Sequence, residues 1–273
     1  MKAQDLRYSV IGAGALGGAV ARGLARAGCD VTASCPHPER RQELLTDGVR
    51  LTANNHNAVS SGDVVMFAVK PHLTLSIIEE LAPLLKGKLC VSLAAVVPLR
   101  LLAKAAPEVR WARAMTSLCA AMGAAFTGIA VPEGSAEEDQ KLLLDVFGLL
   151  GDAALTEEGK LDALTSLTGA APAFFLELLE AAAMGGIQAG LPKELAYKGA
   201  AAAVLGTARL VMDSDRTPSE LRDAICTPGG MTIEGIAELE RAGARGTMMR
   251  AVLATAEKGR VLTEALLKDL ERN

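Results

Sequence analysis

The sequence predicts a doubly wound α/β sheet followed by an all-α helical domain, and three observations carry that reading. Short, nearly continuous apolar runs alternate with helical patterns through the first half, as expected of parallel strands buried on both faces. From about Lys160 onward the strand signals vanish, and Ala/Leu/Glu-rich segments recur with helical spacing. A length of 273 residues, at roughly 150 residues per domain, favours two domains. The expected division is 1–156 and 157–273.

The elements follow in order. Residues 7–11 form a strand with β-branched positions that runs into glycines, and 15–27 read as a helix with small residues on one side. A second strand spans 30–34, and 39–45 look helical until Gly48. Residues 64–69 are a buried strand after Ser61-Gly62-Asp63, followed by a helix over 73–85, a strand over 89–93 and a short helix over 99–105. Strands near 110–113 and 128–131, a helix over 136–149 and a strand over 152–156 complete the first domain. In the second half, breaks fall at Gly190-Leu191-Pro192, Arg216-Thr217-Pro218 and Thr227-Pro228-Gly229-Gly230. Pro192 and Pro218 suit the first turn of a helix. Small-residue faces at 181–183 and 200–203 permit close helix packing or a subunit interface.

Composition narrows the function classes. Half the residues are hydrophobic and 22% are charged, which is ordinary for a globular chain. Lys and Arg total 28 against 32 Asp and Glu, so the charge favours neither nucleic acid nor an anionic membrane as partner. The scattered Cys29, Cys35, Cys90, Cys119 and Cys226 fit reduced thiols in a cytoplasm. His37, His56 and His72 form no zinc pattern, so no metal is expected. The N-terminus reads as neither a signal peptide nor a membrane span. Residues 176–211 are the one membrane suspect, and Glu177, Glu180, Lys193, Glu194, Lys198 and Arg209 interrupt them, which points to soluble helix.

Between the first strand and helix stands Gly12-Ala13-Gly14-Ala15-Leu16-Gly17, a GxGxxG in the strand–turn–helix context of a Rossmann-type dinucleotide site. Gly12 permits the turn, Gly14 lets backbone approach a pyrophosphate, and Gly17 lets the helix pack on the sheet. The helix N-terminus offers unpaired N–H groups to phosphate. The alternative is a plain tight turn that happens to need glycines. The second strand ends Thr32-Ala33-Ser34-Cys35, without the carboxylate that usually binds the ribose of NAD. Ser34, His37, Arg40 and Arg41 can surround a 2′-phosphate instead, which points to NADP (NADPH), with NAD as the alternative. Arg40 and Arg41 equally suit a solvated helix face. Late in the chain, Cys226-Thr227-Pro228-Gly229-Gly230-Met231-Thr232 sets backbone N–H groups and two hydroxyls before a helix, as a carboxylate requires. An ordinary helix start capped by Thr232 or a neighbour has the same appearance.

The chain resembles the pyrroline-5-carboxylate reductase family. The resemblance runs over nearly the whole length: the GxGxxG, Val69-Lys70-Pro71, Ser92 with Ala94-Ala95, Arg113-Ala114-Met115, the run from Leu167 to Phe174, Ala189-Gly190-Leu191-Pro192, and residues 221–239. The last is the most specific, because it follows the family's Ser-Pro-Gly-Gly-x-Thr signature with Thr227 in place of serine. The resemblance implies NAD(P)H-dependent reduction of the cyclic imine 1-pyrroline-5-carboxylate to L-proline. It implies a helical dimerisation and substrate-binding domain that makes a homodimer, with larger rings as a further state. Thr227, Gly229, Gly230 and Thr232 would hold the imine's carboxylate, with Thr232, the catalytic candidate, near the ring nitrogen. Gly12, Gly14, Ala15, Leu16, Gly17, Ser34, Arg40, Ala68, Val69, Lys70 and Pro71 would contact the cofactor. The imine takes its proton from solvent, so no dedicated acid is expected, and the protein supplies orientation and charge complementarity.

Departures from the family pattern bear on substrate choice. Thr116-Ser117-Leu118-Cys119 replaces the family's Pro-Asn-Thr-Pro, which predicts a looser loop. Val96 stands for a glycine, and Gly169-Ala170-Ala171-Pro172 for Gly-Ser-Gly-Pro. Two alternatives therefore stay open: a reductase of another cyclic imine or imino acid, and a catalytically weak nucleotide-binding relative.

Overall fold

The computed structural model describes residues 2–272. The chain packs as two units, one comprising the residues up to Ala170 together with those from Ala254 on, the other Ala171–Leu253. The last strand ends at Leu155, and the elements after it are helical.

The first unit holds β1 (Arg7–Ile11), β2 (Asp30–Ser34), β3 (Arg50–Thr52), β4 (Val64–Phe67), β5 (Leu89–Ser92), β6 (Arg110–Met115), β7 (Ala125–Ala130) and β8 (Gly151–Leu155). They form one sheet of order β3-β2-β1-β4-β5-β6-β7-β8. Neighbours are parallel except β6 and β7. That exception has a local cause. A parallel return needs a crossover of a dozen or more residues, and the link from β6 to β7 holds only the 3-10 turn Leu118–Met122. Helices α1 (Ala15–Arg26) and α6 (Glu137–Gly148) cover one face, with Val20, Leu24 and Phe147 buried. Helices α4 (Pro71–Leu85) and α5 (Leu99–Ala105) cover the other through Ile78, Leu81, Leu85 and Leu102. Each of those aliphatic side chains contributes about 1.5–3 kcal/mol by leaving water.

The helix expected over 39–45 is divided into a 3-10 turn, Pro38–Arg40, and a short α2, Gln42–Thr46. Two elements were not expected, the edge strand β3 and α3 (Asn55–Ser61). The latter starts because the Asn54 side chain accepts the His56 and Asn57 amides at 2.8 and 3.2 Å. The unit closes with α7 (Leu161–Thr165) and a π-helical turn, Ser166–Ala170.

The second unit contains α8 (Ala171–Gln188), α9 (Lys193–Met212), α10 (Pro218–Ile225), α11 (Met231–Arg241) and the first part of α12 (Ala244–Arg272), whose remainder packs in the first unit. Pro218 opens α10, where Thr217 and Glu220 cap each other, whereas Pro192 lies one residue outside α9 as its cap. The suspect stretch 176–211 is broken between α8 and α9. An earlier stretch, Glu158–Gln188, is long and apolar enough to cross a membrane by length and composition. Few apolar side chains of this unit are buried, and Phe175, Leu176, Leu178, Met184 and Leu205 all remain exposed. An apolar surface of that extent marks an interface.

Candidate active site

The glycine turn lies where the strand order reverses. β1 pairs with β2 on one side and β4 on the other, with Ile11 level with both Ser34 and Phe67. Such a switch point, at the carboxyl ends of parallel strands, is where open α/β sheets take ligands. Gly12 has φ of +100°, and a Cβ there would come within 2.8 Å of the Ala68 carbonyl oxygen and the Val69 side chain. Gly17 faces the Gly12 carbonyl so closely that any Cβ would overlap it. Gly14 has open space around it, with no atom within 4 Å of a Cβ position. Two of the glycines therefore serve the turn itself, and the third leaves room for a ligand. The amides of Ala15, Leu16 and Gly17 precede the first bond of α1, in which Gly18 donates to the Gly14 carbonyl at 2.9 Å, so they have no carbonyl acceptor within the helix. This cradle fits a dinucleotide pyrophosphate.

The other residues expected at the cofactor fall around it. Ser34 ties the turn down: its carbonyl accepts the Gly12 and Ala13 amides at 3.0 and 2.7 Å. Its buried hydroxyl donates to Asn55 Oδ1 at 2.7 Å. Arg40 ends its 3-10 turn exposed. Arg41 instead lays its guanidinium against Gly18 in the first turns of α1, while its Nε donates to Glu43 at 2.7 Å. Ala68 continues from β4, its amide bonded to the Ile11 carbonyl at 2.8 Å. Val69 packs at Gly12, Lys70 caps α4 with its side chain exposed, and Pro71 opens that helix.

The neighbouring strand ends carry the residues that depart from the family pattern. Val96, after β5, has φ of +62°, the one non-glycine among the described residues in the left-handed region. The loop after β6 is held rather than loose. Thr127 donates to Thr116 across 2.9 Å in a buried pair, and Ser117 accepts the Cys119 amide at 3.3 Å. The 3-10 turn then packs on α1 so tightly that a Cβ on Gly23 would overlap the Ala120 carbonyl. Gly169 abuts the same loop, with a Cβ position 3.4 Å from the Thr116 carbonyl oxygen. The expected slackness is absent because hydroxyls and a helical turn replace the prolines as restraints.

In the second unit, Gly229 has φ of +68°, and the Gly230 amide donates to the Thr227 carbonyl at 3.0 Å. Gly230, a neighbour of Thr232, is the cap of α11, so Thr232 itself does not cap the helix, and no side-chain hydrogen bond is made at the cap. Thr227 folds over the turn, its Oγ1 occupying the place a Gly230 Cβ would need. Thr227, Gly229 and Thr232 are exposed. An exposed turn with open amides, two hydroxyls and a helix dipole behind it suits a small carboxylate. Among the described residues no cluster of His, Cys, Asp and Glu is able to hold a metal ion.

Sequence reasoning missed three features: Asn55, the left-handed Val96, and Glu158, whose Oε1 accepts from the buried Arg113 Nη1 at 2.8 Å. Asn55 was detectable, since Asn54 before a short run is a cap signal. The other two have no local signal.

Comparison with known proteins covers both units. Residues 158–262 match the family model described as pyrroline-5-carboxylate reductase dimerisation, and residues 7–96 match that described as NADP oxidoreductase coenzyme F420-dependent. The chain is 37% identical over 258 residues to a pyrroline-5-carboxylate reductase of Pisum sativum, covering 93% of this chain and 94% of the pea protein. It is 33% identical to that of Methanosarcina acetivorans, covering 95% and 98%. The solved reductase of Streptococcus pyogenes superposes with a TM-score of 0.80 at 28% identity, covering 94% of this chain and 98% of that one. The Plasmodium falciparum pyrroline carboxylate reductase, solved with NADP bound, shares the fold with a TM-score of 0.86 at 24% identity, covering 95% and 99%. With both the glycine cradle and the late Thr-Pro-Gly-Gly turn inside these matches, the chain belongs to the pyrroline-5-carboxylate reductase family.

Proposed function

We propose that the chain reduces 1-pyrroline-5-carboxylate to L-proline with NADPH. The observation that carries this reading is identity of 33–38% to reductases of that name across nearly the whole chain. When bound, the reduced nicotinamide supplies a hydride to the carbon of the substrate's C=N bond. Gly12, Gly14, Ala15, Leu16 and Gly17 hold the pyrophosphate through backbone amides, and Ala68, Val69, Lys70 and Pro71 flank it. Arg40 and Arg41, with Ser34 anchoring the strand end, favour a 2′-phosphate and hence NADPH over NADH. Thr227, Gly229, Gly230 and Thr232 receive the carboxylate, and Thr232 approaches the ring nitrogen. The nitrogen arrives protonated from solvent, and the nitrogen lone pair forms as the hydride reaches carbon.

We further infer a homodimer that buries the apolar faces of the second unit, with rings of dimers as a larger state. A second copy, not lipid or nucleic acid, covers these helices, because the dimerisation match spans the same residues as the exposed apolar side chains. The five unpaired cysteines agree with a cytoplasmic location.

NADPH oxidation with racemic pyrroline-5-carboxylate, with NADH in parallel, tests the reading. Turnover preferring NADPH is expected, and tight NADPH binding without turnover overturns it. The left-handed Val96 and the Thr116-to-Cys119 replacement favour one second reading, a different cyclic imine. A substrate panel with another imine preferred by orders of magnitude in kcat/KM selects that one.

A further inference from the structure

Arg113 is a cation in the wrong place for a surface role. It sits near the end of β6, level with Ser92 of β5, and is only 4% exposed. One of its nitrogens, Nη1, donates to Glu158 Oε1 at 2.8 Å, while Nε and Nη2 are buried with no protein acceptor. A buried arginine left so poorly paired depends on its one carboxylate. That same Glu158 oxygen accepts the Leu99 amide at 2.7 Å, the first amide of α5. Leu99 directly follows the loop 93–98, which contains Val96, held at φ of +62° with its side chain buried. A β-branched residue does not rest in that region unless its surroundings force it there.

The loop has a functional address. It leaves β5 beside β4, and its Leu93 amide bonds to the Phe67 carbonyl at 2.8 Å, adjoining the segment Ala68-Val69 that packs on Gly12. A dinucleotide seated at the β1/β4 switch point extends over these strand ends.

We propose that Arg113 and Glu158 are positioning residues, which through the Leu99 amide hold loop 93–98 in its strained form and so fix Val96 as a wall of the reduced cofactor's working end. The inference rests on the reductase reading. Without the carboxylate, Val96 relaxes to negative φ and the wall moves. A glycine at position 96 has no such tendency, because it tolerates positive φ without a clash.

The test compares the full-length wild type with E158A, V96G and E158A/V96G in imine kinetics, and measures NADPH affinity by quenching of Trp111, the single tryptophan. E158A, assayed as folded protein, is expected to lose at least tenfold in kcat/KM with a raised imine KM. E158A/V96G is expected within threefold of V96G alone. A folded E158A with unchanged kcat/KM overturns the proposal, and so does a loss that V96G merely adds to. A pair that only stabilises the fold lowers the melting temperature and leaves the KM of folded enzyme in place. Should E158A not fold, R113M/E158A, which removes both charges, takes its place with the same expectations. Should the wild type reduce no imine, the reductase reading fails separately, and the same loss and rescue are then sought in the NADPH dissociation constant, where their absence overturns the proposal.

Discussion

Gly17 stands against the carbonyl of Gly12 at a separation that no side-chain carbon fits, with Ala68 on its other side. The motif's three glycines therefore separate into two that the turn requires and one, Gly14, with open space beside it. Gly17→Ala forces the turn and α1 apart and should cost about 1–3 kcal/mol or more, read as a lower denaturation midpoint without cofactor. Gly14→Ala meets nothing within 4 Å and should leave that midpoint unchanged while weakening NADPH binding at least tenfold. Equal NADPH affinity in folded Gly14→Ala removes that residue from the site.

The two arginines after β2 make a second contrast. Arg41 lies on the first turns of α1, whereas Arg40 points to solvent at the end of its 3-10 turn. A charge-assisted hydrogen bond is worth about 1.5–3 kcal/mol, a factor of about ten to a hundred. Arg41→Ala should reduce the NADPH:NADH ratio of kcat/KM by that factor, and Arg40→Ala by less. Ratios that both variants leave unchanged would exclude this corner as the phosphate site.

The difference between Arg40 and Arg41 shows where sequence reading stops. Nearly continuous apolar runs located β4 and β5 to within two residues, as strands buried on both faces allow, and the β-branched residues before the glycines located β1. The edge strand β3 spans three residues, Arg50–Thr52, and α3 buries only Ala58 and Val59, so neither has a periodicity to detect. Missing α3 also hid Asn55, and with it the bond that occupies the Ser34 hydroxyl. The glycine cradle was legible since its residues are contiguous. The Arg113–Glu158–Leu99 connection joins positions far apart in the chain, and Val96's left-handed backbone contradicts its residue type.

Asp47 gives the fold a dependence on acid. Burial pushes its carboxyl up, but hydrogen bonds from Arg22 and Arg26 of α1, at 2.5 and 3.0 Å, outweigh this and hold it below the ordinary value. A carboxylate lowered on folding contributes stability above its unfolded pKa of about 3.9 and loses it as pH falls through the folded value. Wild type should therefore exceed Asp47→Asn in urea midpoint at pH 7, with the gap closing below about pH 4. A gap that persists at pH 2 would assign the effect to packing.

Thr232 separates binding from stability most cleanly. It is the second residue of α11, exposed, and it caps nothing. Surface substitutions free of such roles usually change stability by less than about 0.5 kcal/mol. If its hydroxyl meets the substrate, Thr232→Ala should keep the melting temperature and lower kcat/KM at least tenfold. Thr232→Ser, which keeps the oxygen, should recover most of that loss. Loss of a contact made equally to substrate and transition state appears in KM, whereas a hydroxyl acting at the ring nitrogen during hydride transfer appears in kcat. The kcat of Thr232→Ala therefore decides between carboxylate binding and a part in the chemical step, and unchanged kinetics would leave the residue with neither.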